Sequence, residues 1–424
     1  MKDEIILQEY NEHFIPGYHL TEQERNNLKE YACIHRNKPW EQRFFVDELR
    51  DGLRIKTTSY VGIIELERLR ILIQPKFDPT FTQVIDMMLF AQGHAKWSEQ
   101  QTIGNAGHNN LFILLASRFL KETELLLRKG LKKDYVQEEN NVRHVRGRIL
   151  IRENAMKNYN YPTKIFCCFD ELVNDVLENQ LILCVLELLS AVPLPEQLKR
   201  QIHTFRTQFQ MLTTTFQGKK WPHIVYNRLN EHYKMTHFFG KMLFEKLFLQ
   251  DYTNHQLHTF TLLVNMNELF EQFVGEILRQ YLHKGTFKVV AGKRITDAML
   301  LEGARYRDMI PDLVVHDLNR NAVTVLDTKY KGYDVKRVST EDLFQLAFYA
   351  QYFQTEETYA ATIIYPVFKG TASESKRIIE TNKRAKNSGR IYLQSIHIVQ
   401  VLSWIRAKDE QSLQTLAKRL ISYE

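Results

Sequence analysis

The sequence predicts a multidomain protein of mixed α/β (α+β) class, and three observations carry that prediction. Short apolar runs rich in β-branched residues fill residues 1–80. The apolar spacing turns helical over 81–254, recurring at i, i+3, i+4 and i+7. From 255 to 424 the order of segments is helix, three strands, helix, strand, which is that of an α/β domain.

At 424 residues, 44% hydrophobic and 25% charged, the chain is long enough for two or three domains with proper cores and has ordinary globular composition. Its 57 Lys and Arg against 50 Asp and Glu leave a formal charge of +7, which suits a polyanionic partner without requiring one. Cys33, Cys167, Cys168 and Cys184 form no C-x2-C pair and read as buried thiols in a reducing compartment. The start, MKDEIILQEY, lacks the basic and then apolar pattern of a leader. The longest apolar stretch, LILCVLELLSAV, is broken by Glu187, so no membrane span and a cytoplasmic location are expected.

In the first region, RFFVDEL, GLRIKTTSYVGIIEL and LRILIQPKF read as strands, punctuated by Gly52, Gly62 and Pro75. The middle region offers VIDMMLFAQGH, NNLFILLASRFLKETELLLRKGL and ELVNDVLENQLILCVLELLSAV as helices. NNVRHVRGRILIREN interrupts them as a basic β-excursion around Gly147, with Arg143, Arg146, Arg148 and Arg152 either on a solvated face or on phosphate. GKKWPHIVYNRLNEHYKMTHFFGK, 218–241, interleaves basic and aromatic residues; it reads as a connector with an amphipathic helix, or as a nucleic-acid surface. In the last region MNELFEQFVGEILRQYL is an amphipathic helix, followed by strands at FKVVAG, DLVVHD and AVTVLDTKY, a helix at EDLFQLAFYAQYF and a strand at TIIYP.

The two strands in IPDLVVHDLNRNAVTVLDTKYKGY, 310–333, form a hairpin that turns at Asn319 and Arg320. Facing residues in an antiparallel pair have a constant sum of numbers, here 639, so Asp312 faces Asp327 on one side of the sheet. Directly opposed Cβ atoms lie roughly 5 Å apart, and period-two alternation adds Lys329 to the same face. Two facing carboxylates repel unless something neutralises them. A divalent cation held by one or two carboxylates is the chemistry that phosphodiester hydrolysis asks for. Lys329 would stabilise charge developing on the phosphate or orient the attacking water, and Glu271, on the amphipathic helix, would add an acid facing the metal. A bare D/E-x-K is weak; Asp334-Val335-Lys336 and Glu374-Ser375-Lys376 share it without a buried strand before them. Asp327-Thr328-Lys329 differs in having a Pro-Asp one hairpin upstream and an amphipathic helix after it. That helix carries Gln345 and Tyr349 at i, i+4, on a polar stripe with Asp342 and Tyr352.

The order of segments resembles the PD-(D/E)XK nuclease superfamily and, more narrowly, the McrC family of McrBC-type modification-dependent restriction systems. SYVGIIEL, ILIQPKF, DMMLFAQG, VRGRILI, FDELVNDVLENQLILCVLELL, MNELFEQFV, IPDLVVHD, VLDTKYKG, DLFQLAFYA and IIYP follow one another as its signatures over about 59–366. The resemblance implies a β-rich region at 1–80, a helical, partner-docking region at 81–254, and a nuclease domain at 255–424 whose mixed sheet is flanked by helices. It implies Asp312 and Asp327 as Mg²⁺ or Mn²⁺ ligands, Lys329 as catalytic, and auxiliary roles for Glu271, Gln345 and Tyr349. It further implies double-stranded, methylated DNA as substrate and a hexameric AAA+ NTPase, McrB, as partner, so NTP enters only through that partner. In agreement, the chain has no G-x-x-x-x-G-K-[ST] loop of its own. A non-catalytic regulator with a nuclease fold, binding DNA or stimulating an NTPase, is the alternative.

Overall fold

The computed structural model describes residues 3–35, 38–77, 81–93, 110–159, 163–247, 260–292, 294–302, 304–333, 337–353, 358–367, 376–380 and 388–422. The chain divides into two compact units, one built from residues 1–111 and 262–424 and the other from 112–261.

In the first unit the N-terminal residues build, besides a two-stranded pair of Cys33–His35 with Lys38–Gln42, two small sheets. One contains β1 (Asp3–Gln8), β5 (Tyr60–Glu65), β6 (Leu69–Gln74) and β7 (Phe260–Asn265), in the order β1-β6-β5-β7. The other contains β2 (Glu12–Pro16), β3 (Phe44–Leu49) and β4 (Gly52–Thr57), with β4 in the middle. Between them runs α1 (Glu22–Ala32), opened by a reciprocal capping box in which Thr21 and Glu24 satisfy each other's backbone N–H groups. Leu28 and Tyr31 of α1 join Leu7, Phe44, Ile55, Ile64, Ile71 and Leu263 in one core. Strand β7 arrives from far along the chain, and Gly62 makes room for it. Its φ is 142°, and an added Cβ would sit 1.9 Å from the carbonyl oxygen of Leu262.

The C-terminal part supplies a mixed sheet. From one edge it runs β8 (Phe287–Ala291), β9 (Leu313–Asp317), β10 (Ala322–Thr328), β11 (Thr358–Pro366), β13 (Ser388–Ile396) and β12 (Lys376–Glu380). The β10–β11 and β11–β13 pairs are parallel and the others antiparallel. Parallel neighbours require a crossover, which α4 (Thr340–Phe353) provides between β10 and β11. Leu346 and Ala350 of α4 pack on Val325, Ala361, Ile363 and Leu393, and the sheet is buried on that side. α2 (Thr82–Ala91) packs on α3 (Met266–Tyr281), with the Phe90 and Phe273 rings 5.4 Å apart, and α3 lays an apolar face of Leu269, Phe270, Phe273, Val274 and Ile277 inward. Its Gly275 comes close enough that a Cβ would touch Leu313 at 3.2 Å.

In the second unit the helices Leu111–Lys129, Leu177–Ser190, Glu196–Gln210 and Lys234–Leu247 accompany a sheet ordered Arg148–Ile149, Ile165–Val173, Asp134–Val142. The basic excursion is thus a turn followed by a two-residue strand, and Arg152 lies on a short helix, Ile151–Lys157. Residues Glu171–Val173, expected to be helical, belong to the strand Ile165–Val173; that segment crosses a partner strand through Val173 before the helix begins at Leu177. The 218–241 stretch is irregular up to a helical turn at Glu231–Tyr233 and then helical from Lys234. Cys167, Cys168 and Cys184 are buried free thiols, and Cys33 is half-buried. No helix among the described residues is long and apolar enough to cross a membrane.

Candidate active site

The hairpin that carries the acids pairs Leu313 with Leu326, Val314 with Val325 and Asp317 with Ala322, all with the constant sum of 639. Its loop holds an even number of residues, 318–321, and so preserves the register. Asp317 folds that loop by accepting, at Oδ1, the backbone N–H groups of Asn319 (2.9 Å) and Arg320 (3.0 Å). Asn321 closes it with a φ of 50°. Asp312 and Asp327 lie one step beyond the Leu313–Leu326 pair, at the end of the strands away from the loop.

Asp312 is fixed at one oxygen. Its Oδ2 accepts the backbone N–H of Thr328 at 2.8 Å and the Thr328 hydroxyl at 3.0 Å. Asp327 is 2% exposed, with Lys329 Nζ 3.1 Å from Oδ1 and 3.0 Å from Oδ2. Only the contact to Oδ1 has hydrogen-bond geometry, so Oδ2 is a buried carboxylate oxygen without a hydrogen bond. Burial, and then the charge of Asp312, push the Asp327 carboxyl up to about 7 against the pull of Lys329. Burial opposes the charge on Lys329, but Asp327, Asp312 and Asp342 outweigh it and hold the ammonium above its ordinary value.

Glu271, on the second turn of α3, belongs to the same electrostatic group. Burial, Asp312 and Glu268 raise its carboxyl to about 7 while Lys329 pulls it down. Asp342, one turn before Gln345 on α4, is more central than the sequence reading made it. Its Oδ1 lies 3.8 Å from Lys329 Nζ. Its Oδ2 accepts Lys331 Nζ at 2.8 Å, the Ser339 hydroxyl at 2.6 Å and the Tyr333 hydroxyl. Burial raises its carboxyl, but those three bonds outweigh it and hold the group near about 2. Gln345 and Tyr349 bond each other, Gln345 Nε2 to the Tyr349 hydroxyl at 2.9 Å, on the partly exposed side of α4. Thus Asp312, Asp327, Lys329 and Glu271 are electrostatically coupled, Asp342 joins them through Lys329, and the Gln345–Tyr349 pair follows Asp342 one to two turns along the same helix. Asp334, Val335, Lys336, Glu374 and Ser375 lie outside the described residues.

Among the described residues no three acids, histidines or cysteines stand close enough to enclose a metal ion by themselves. A hard divalent cation that keeps most of its waters needs only one or two carboxylates. The unbonded Asp327 Oδ2, facing a second acid whose other oxygen is already fixed, fits such an ion. A residue that sequence reasoning missed is Glu9. It is buried, and it accepts a hydrogen bond from the hydroxyl of Tyr330, the neighbour of Lys329.

A family model described as McrBC 5-methylcytosine restriction system component matches residues 55–366. No curated protein matches the chain. Among solved structures, a chain of the refined half-complex from a tetradecameric assembly of Thermococcus gammatolerans McrB AAA+ hexamers with bound McrC aligns with a TM-score of 0.70 at 17% identity, covering 97% of this chain and 100% of its own. A chain of the cryo-EM structure of the Thermococcus gammatolerans McrBC complex aligns with a TM-score of 0.50 at 16% identity, covering 66% and 88%.

Proposed function

The chain belongs to the McrBC 5-methylcytosine restriction system component family, and on that premise we propose that it is the nuclease subunit of such a system, a PD-(D/E)XK-type endonuclease that cuts methylated double-stranded DNA with Mg²⁺ or Mn²⁺. The observation that carries the reading is the buried Asp327 facing Asp312, with a carboxylate oxygen left unbonded and Lys329 beside it. Fold stability asks for none of this, since a buried acid without a full set of partners weakens a fold.

Asp312 and Asp327 would hold the cation. When bound, it supplies a Lewis acid and a water of lowered pKa. Thr328 keeps the Asp312 carboxylate from rotating, so one acid is preset before any ligand arrives. Lys329 stays charged between Asp327 and Asp342 and offers its ammonium to a phosphate oxygen as negative charge builds there. Glu271 adds an acid beside Asp312. Gln345 and Tyr349 present an amide and a phenol to the DNA backbone next to the site.

The partner would be an AAA+ NTPase of the McrB kind, because McrC is seen bound to McrB AAA+ hexamers in the similar structure and this sequence contains no G-x-x-x-x-G-K-[ST] motif. The second unit would dock it and stimulate its NTP hydrolysis. Its excursion leaves Val145, Ile151, Met156 and Tyr159 exposed among the exposed Arg143, Arg146, Arg148 and Arg152.

The test is Mg²⁺-dependent cleavage of methylated and unmethylated plasmid by the chain with its AAA+ partner and NTP, wild type against Asp327→Asn. Cleavage of methylated plasmid by the wild type alone is expected. Stimulated NTP hydrolysis with no cleavage from either protein would replace this reading with a regulatory subunit.

A further inference from the structure

Glu9 and Tyr10 lie outside the hairpin and outside every motif above. Glu9 follows β1, its backbone N–H donating to the Gln74 carbonyl at 3.1 Å, and its side chain is 1% exposed. Its Oε1 accepts two hydrogen bonds at 2.8 Å, from the backbone N–H of Lys76 and from the hydroxyl of Tyr330. Its Oε2 has none. Tyr330 is itself buried, and its ring packs 5.9 Å from that of Phe270, the residue before Glu271. One side chain thus reaches toward both flanks of the site.

Tyr10 turns the chain at this point with a φ of 57°, a left-handed conformation that a bulky residue rarely adopts. Its N–H donates to the Thr58 carbonyl at 3.2 Å, and its hydroxyl interacts with Ser59 and Asn267. Asn267 is the second residue of α3. Its Nδ2 donates to the Ser59 hydroxyl at 3.0 Å, and the Met266 N–H donates to the Ser59 carbonyl at 2.9 Å. The start of α3 and the loop after Lys329 are therefore tied to the same dipeptide of the N-terminal β layer. Strained backbone and a half-bonded buried acid in adjacent residues are costs that packing alone does not explain.

We propose that Glu9 and Tyr10 form a clamp that sets the Lys329 loop against the first turns of α3, with Glu9 acting as a positioning residue through Tyr330. The role of residues 1–80 is then partly to hold Lys329 and Glu271 in register with the two aspartates. The inference rests on the nuclease reading for its kinetic consequence, though not for its structural one.

Two measurements on the full chain with its AAA+ partner separate the two. In single-turnover cleavage of methylated DNA at saturating Mg²⁺, Tyr330→Phe, which deletes one hydroxyl and keeps the ring, slows the maximal rate of cutting about 10–100-fold, and titrating the protein leaves its half-saturating concentration unchanged. Glu9→Ala does the same, Glu9→Ala/Tyr330→Phe is no slower than either alone, and Glu9→Gln restores most of the rate. Stimulation of the partner's NTP hydrolysis is unaffected throughout. Amide exchange is the second readout: both single variants lose protection together at 266–272 and 328–332. Multiplying losses in the double variant, or wild-type cutting by Tyr330→Phe, overturns the positioning role. Unchanged exchange in Glu9→Ala overturns the clamp even if the wild type never cuts, whereas a wild type that fails to cut while the exchange responds as stated sinks only the nuclease reading.

Discussion

Replacing Asp327 by Asn should raise the stability of the metal-free protein at pH 8 while abolishing cleavage. An unfolded aspartate releases its proton near pH 4, whereas burial and Asp312 hold that of folded Asp327 until about 7. Between those values the folded chain binds the extra proton, so stability falls as pH rises through the interval and levels off above it. At ~1.4 kcal/mol for each pH step, the ionised Asp327 subtracts about 4 kcal/mol from folding above pH 7. That figure already contains the attraction of Lys329 at 3.1 Å, so asparagine, neutral at every pH, is expected to raise stability by about 2–4 kcal/mol at pH 8. At pH 5, about one step above the unfolded value, the gain shrinks to about 1 kcal/mol. Because two units need not unfold together, the assay is amide exchange of β10 in EDTA, compared at the two pH values. Added Mg²⁺ should then protect β10 in the wild type and not in the variant. Equal destabilisation at both pH values would refute the reasoning, since Asp327 would then be an ordinary ionised partner of Lys329.

Removing Lys329 as Lys329→Ala should slow single-turnover cleavage by about 10²–10³-fold, and it should weaken Mg²⁺ binding at pH 7 in calorimetry, because Asp327 loses the cation that lowers its pKa. Gly62→Ala places a methyl against the Leu262 carbonyl at a strained φ and should cost about 2–4 kcal/mol in urea denaturation of the first unit. In the second unit, burial holds His237 neutral down to about 4 despite the Glu178 carbonyl and charge. An unfolded histidine binds its proton near 6.5, so that unit should lose about 3 kcal/mol as pH falls from 6.5 to 4. Trp221, whose ring lies 6.0 Å from His237, reports the loss in fluorescence-detected unfolding, and His237→Gln should flatten the slope.

What was legible in the sequence was local. The hairpin register followed from the spacing of Asp312, Asp327 and the turn between them, because alternation and an even loop leave one pairing that keeps Val314 and Val325 inside. Helix α3 was legible from its apolar stripe. Helix α1 is legible only in the capping pair Thr21 and Glu24, three residues apart among strand-like neighbours. The rest depends on contacts between distant residues, which periodicity does not encode. Nothing near Glu9 announces Tyr330, 321 positions away. Asp342 looked like one more polar residue on an exposed stripe because its partners Lys331, Tyr333 and Ser339 reach it only when the segment before α4 folds back. Gly62 suggested punctuation between strands, and its actual neighbour is a strand that begins at Phe260.

That neighbour has a consequence for how the protein is made. Strand β5, with the buried Val61, Ile63 and Ile64, is covered on one side by β6 and on the other by β7. A ribosome adding about 5–20 residues per second needs roughly 10–40 s to get from β5 to β7. For that time a nascent chain carries an open, apolar strand edge of the kind that recruits other strands. Glu9, 321 positions before Tyr330, waits longer still, roughly 16–64 s at the same rate. The proposed site, which draws on residues from Glu9 to Tyr349, is incomplete until most of the chain has been translated, and it is the unfinished chain, more than the finished one, that exposes an unpaired apolar edge.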